Sequence, residues 1–177
     1  MKTLLRVFGV ILVLVALVVS SLGVVRNFRD AEDAAEYENT MSQGNLEIKE
    51  LKAQAELLTG ESKAAALDSI KQAEDILKDI PSKNTFTFIG VLMVVLVLTS
   101  LVSAVLLFVV REKAAKIILA ITIVSALIAI VISPNIGGGL TGGASNRTVA
   151  MIAAVPAFLS ALFAFLISRM KPSNKLA

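Results

Sequence analysis

Few residues in this chain are of types that do chemistry, and each motif they form fails for a physical reason. Gly137 to Gly142 has the G-x-G-x-x-G spacing of a dinucleotide loop. Such a loop works between a strand and a helix of a βαβ unit, and this one follows a long apolar run. Gly138 to Gly143 has phosphate-loop spacing, but Ala144-Ser145 stands where a lysine must reach the phosphate. The simplest expectation for these glycines is a plain loop; a sharper one is a loop tucked back against the helices. Asn146-Arg147-Thr148 fits a glycosylation sequon, yet it abuts an apolar run, and no glycan is expected.

The carboxylates offer little more. Asp30, Glu32, Asp33, Glu36 and Glu38 cluster together, but without the Asx-rich loop of a calcium site, so a solvated face is expected. Further along, acids alternate with lysines as Glu74 does with Lys78, which is ordinary i,i+4 pairing. The chain has no Cys, His or Trp. That removes thiolate and disulfide chemistry, the usual haem and copper ligand, and the commonest general base. No catalytic, cofactor-binding or metal-ligating residue is assigned, and the expectation is a non-enzymatic protein without a cofactor.

The chain is 56% hydrophobic over 177 residues, with a mean hydropathy of +0.81. Soluble domains need more polar surface than that. The run Phe86 to Val110 is twenty-five residues long and contains no charge, enough to cross a hydrocarbon layer about 30 Å thick as a helix. The expected fold is all-α: an integral membrane four-helix, tetraspan bundle with an extracytoplasmic helical hairpin or coiled-coil segment between helices one and two. The first span is residues 1–25, an uncleaved signal anchor, since its apolar run exceeds the roughly 7–15 residues of a signal peptide. The outer segment is 26–85, the second span 86–110, and the connecting turn 111–116. The third span is 114–132, the glycine-rich outer loop 133–147, the fourth span 148–168 and the tail 169–177. Pro156 is expected to kink the fourth span.

Charge sets the orientation. Basic residues dominate the N-terminus, the 111–116 turn and the tail, whereas the 26–83 segment carries thirteen acidic against eight basic residues. The positive-inside rule then places both termini in the cytoplasm, and the expected location is a bacterial inner (plasma) membrane. Net charge of +3 is explained by insertion and anionic lipid, with no nucleic acid as partner.

The outer segment is rich in helix formers. Ile48, Leu51, Ala55 and Leu58 recur at helical spacing, as do Leu67, Ile70, Ala73, Leu77 and Ile80. The two stripes fall out of phase at Gly60, which predicts a break there, with Gly44 an earlier turn. Leu51, Leu58, Leu67, Ile70 and Leu77 are the candidate interaction surface, either self-packed or docked on a partner. Between their flanking residues the spans carry no charge. That argues against pumps, proton relays and voltage sensors. Hydroxyls and small residues remain: Ser100, Ser103 and Ala104 on the second span, and Ala150, Ala154, Ala157 and Ala161 on the fourth, are the candidates for close helix packing.

The order of one span, a large outer loop and three closely connected spans resembles claudin-like tetraspan proteins in layout. The Trp and Cys residues that mark the claudin loop are absent, and no family is assigned. The expected function is a structural, accessory or scaffold subunit, with the lipid bilayer and either its own copies or a larger membrane complex as partners. The alternative is a membrane sensor or a neutral, hydroxyl-lined, channel-like homo-oligomer.

Overall fold

The computed structural model describes residues 2–78, 81–135 and 143–170. It holds five helices among those residues and no strand: α1 (Lys2–Glu56), α2 (Glu61–Lys78), α3 (Lys83–Leu106), α4 (Glu112–Ile132) and α5 (Asn146–Arg169). Four of these, with only the Lys2–Glu36 part of α1 counted, are long and apolar enough to cross a membrane. Residue spacing in α1 explains how they pack. Gly9, Val13, Ala16, Ser20, Gly23, Asn27, Asp30 and Ala34 are all buried. Their alternating steps of four and three give the 3.5-residue period that keeps one seam on its neighbours in a left-handed bundle.

The seam is narrow because its residues are small. A Cβ built on Gly9 would lie 2.7 Å from the Leu107 side chain, and one on Gly23 would lie 3.2 Å from Met93. These contacts set α1 and α3 antiparallel in one register. From α3, Gly90 in turn receives the ring of Phe28. Helix α5 packs on α1, α3 and α4 with Ala150, Ala153, Ala154, Ala157, Ala161 and Ala164, each no more than 4% exposed. The core joins Ala150, Ala153, Ala154 and Ala157 to Ile89, Met93 and Leu96 of α3 and to Ala126 and Ala129 of α4, while Ala164 packs in a second cluster with Leu107 and Ile167.

Helix boundaries depart from the charge-free stretches. α3 starts at Lys83, where the Ser82 hydroxyl accepts from the Thr85 backbone N–H, and ends at Leu106 rather than Val110. α4 starts at Glu112, before Ala114, with its acid in the first turn where the helix dipole favours it. α5 starts at Asn146, before Thr148, capped by Ser145, and continues through buried Pro156. Apolar composition marks where a helix dissolves in lipid; caps decide where it stops.

Gly44 is not a turn. α1 runs through it to Glu56 as one helix of 55 residues. A mid-helix glycine costs about 1 kcal/mol relative to alanine, too little to interrupt a helix held at one end by the bundle and at the other by α2. The break expected at Gly60 is present: Gly60 has φ +67° between α1 and α2. Ile48 and Ala55 of α1 meet Ile70 of α2 there, with Ala66 beside them. From Glu38, whose carboxylate accepts the Lys83 backbone N–H at 2.9 Å, α1 extends about 27 Å further to Glu56 at 1.5 Å per residue.

Candidate functional site

Three polar side chains are buried together where α1 meets the start of α5. Asn27, Asp30 and Asn146 are 0%, 0% and 2% exposed. Asn146 Nδ2 donates to Asp30 Oδ2 at 2.7 Å and to Asn27 Oδ1 at 3.0 Å. Asn27 Nδ2 donates back to the Gly23 carbonyl at 2.7 Å. Arg26 Nε lies 3.7 Å from the same Asp30 oxygen, so the buried carboxylate has a cation as well as a donor. Asp30 therefore does not belong to the solvated acidic face expected of it. Its register explains why: it continues the buried seam of α1, whereas Glu32 and Glu36 point outward.

Polar side chains also serve three helix C-termini, whose last carbonyls lack partners within the helix. Arg6 of α1 donates from Nε to the Leu107 carbonyl at 2.9 Å, closing α3. Lys2 Nζ donates to the Met170 carbonyl at 2.9 Å, closing α5. Arg147 of α5 donates to the carbonyls of Ile130 and Val131 at 3.3 Å, closing α4. Arg169 pairs with Glu112 at 3.2 Å across the α4–α5 contact. Basic residues at span ends thus have structural work beyond any effect on orientation.

The hydroxyls divide into two sets. Thr99, Thr122 and Ser160 donate to carbonyls of their own helices. Ser20, Ser100 and Ser103 are buried with no hydrogen-bond partner among the described residues. Of the other packing candidates, Ala150, Ala154, Ala157 and Ala161 are buried in the core, and Ala104 is half-buried. An unsatisfied buried hydroxyl costs about 1–3 kcal/mol. Ser103→Ala is therefore expected to raise stability by about 1 kcal/mol in a detergent-unfolding titration. No gain, or a loss, would mean that the hydroxyl has a partner.

The candidates on the α1–α2 arm lie apart from this site. Leu51, Leu58 and Leu67 are 50%, 42% and 42% exposed, and Ile70 is buried at 6%. The Leu77 side chain, like most of the glycine-rich loop and the tail lysines 171 and 175, lies outside the described residues. Leu51, Leu58, Ile48 and Ile70 line an open apolar groove between α1 and α2. Among the described residues no group of three or more acidic side chains is placed to hold a metal.

Fold and site together define an all-helical protein with four helices fit to cross a membrane, clasped at one end by a buried Asn–Asp–Asn cluster. The chain matches no family model, no curated protein and no solved structure among those compared.

Proposed function

We propose that this protein is a non-enzymatic, four-span scaffold or accessory subunit of a bacterial inner membrane, with both termini in the cytoplasm. Its working part is the α1–α2 arm, held outside the membrane for a partner or another copy of the chain. The observation that carries this reading is the continuity of α1 from the bundle into the arm. A helix without an interruption transmits position, so a partner bound to the arm is held at a defined distance and direction from the membrane. The arm's small core leaves Leu51, Leu58 and Leu67 about half exposed, and clustered leucines in water favour a covering surface.

A neutral pore lined by hydroxyls has less support. Ser100, Ser103, Thr122, Ser125 and Ser160 all face the inside of one bundle, so copies meeting side by side would present aliphatic surfaces to one another. The scaffold reading is tested by photo-crosslinking from positions 51 and 58 of the full chain in native membranes. One discrete adduct is expected, several-fold weaker when Leu67→Asp is introduced. Crosslinks to lipid alone, or none at all, would remove the arm as a docking element.

A further inference from the structure

The seam between α4 and α5 carries a wholly apolar groove of about 400 Å³ that opens to the outside of the bundle. Ile123, Leu127 and Ile130 of α4 and Ala154, Val155 and Phe158 of α5 line it. At the top of the seam sits Arg147. It lies two helical turns before Ala154 and bonds to the carbonyl of Ile130, itself a groove residue. A guanidinium has five N–H donors, and among the described residues Arg147 uses only Nε and Nη2, both on α4. No carboxylate pairs with it among the described residues.

We infer that this seam binds one anionic glycerophospholipid of the outer leaflet, with its phosphate on Arg147 and an acyl chain in the groove. This rests on the membrane reading above. Two observations select the occupant. The unpaired cation calls for an anion at the rim, and phosphate takes the planar fork of arginine well. The length then distinguishes lipid from a partner helix. Arg147 to Phe158 spans about 16 Å along α5, half of a hydrocarbon layer about 30 Å thick. A crossing helix would call for a groove along the whole seam; one leaflet's acyl chain fills this one.

Native mass spectrometry of the purified full chain, supplied with phosphatidylglycerol and phosphatidylcholine of identical acyl chains, tests the site. The wild type is expected to retain phosphatidylglycerol about ten-fold over phosphatidylcholine. Arg147→Gln should bring that ratio close to one, and Arg147→Lys should keep part of it. Leu127, 59% exposed, provides a variant outside the core: Leu127→Trp should close the groove and lower retention of both lipids several-fold. Equal retention by the wild type overturns the inference, as does an unchanged ratio in folded Arg147→Gln. If Arg147→Gln fails to fold, undiminished retention by Leu127→Trp overturns it instead. Alkaline extraction of cell membranes separates the two levels. A chain released into the soluble fraction sinks the membrane reading and this site with it, whereas an embedded chain without lipid preference sinks the site alone.

Discussion

Replacing Asn146 by alanine is expected to destabilise the bundle by about 2 kcal/mol. Hydrogen bonds between membrane helices average about 0.6 kcal/mol by double-mutant cycles, because the separated helices find other partners. Asn146 should exceed that average for two reasons. Its Nδ2 serves two acceptors on α1, one of them a carboxylate, and bonds to charged groups are worth about 1.5–3 kcal/mol. Its removal also leaves Asp30 and Asn27 buried with one donor fewer. Asp30→Asn, which keeps an acceptor facing Asn146, should cost less than Asp30→Ala. The double variant Asp30→Ala/Asn146→Ala should fall short of the sum of the single losses by about 1 kcal/mol or more. Steric trapping in bicelles measures all four corners of the cycle. Additive losses would mean that the two residues stabilise the bundle independently, and that the clasp is only a coincidence of position.

The clasp is also where the fold ceases to be legible in sequence. Four apolar helices are legible because hydrocarbon tolerates so little charge that the spans stand out by composition. The break at Gly60 is legible from the phase change between two stripes. Asn27, Asp30 and Asn146 are not, since Asn146 comes more than a hundred residues after the others and Asp30 begins a run of exposed acids. One signal is present nonetheless. Gly9, Ala16, Ser20 and Gly23 are small residues at steps of seven, four and three, and extending that period by four and three more arrives at Asn27 and Asp30. In a helix that runs on past its apolar stretch, a packing stripe can continue under a polar disguise. Gly44 misleads in the opposite direction: local propensity argues for a turn, and about 1 kcal/mol of propensity is less than the surrounding helix and its packing contribute.

The small residues of α5 lead to the prediction with the largest effect. Ala157→Leu is expected to cost about 3 kcal/mol or to prevent a stable bundle from forming. Ala157 is 1% exposed, in the core with Ala16, Met93, Leu96 and Ala126. Inserting methylenes into a packed core costs about 1–3 kcal/mol when neighbours can adjust. Here Ala16 and Ala126 have no rotamer to change, and Met93 and Leu96 are themselves fully buried, so the helices themselves must move apart. Lipid makes that separation easier, because leucine is as well solvated by acyl chains as by other helices and no hydrophobic force pulls the pair together again. Val155→Leu supplies the comparison on the same helix. Val155 is 57% exposed, and the change there should stay within about 0.5 kcal/mol. Ala157→Gly should lie between them, near about 1 kcal/mol, since it keeps the close approach and loses only helix propensity. A loss that is greatest for Ala157→Leu, smaller for Ala157→Gly and nearly silent for Val155→Leu ties the effect to distance between helices. An Ala157→Leu variant as stable as the wild type would mean that α5 does not pack through this face.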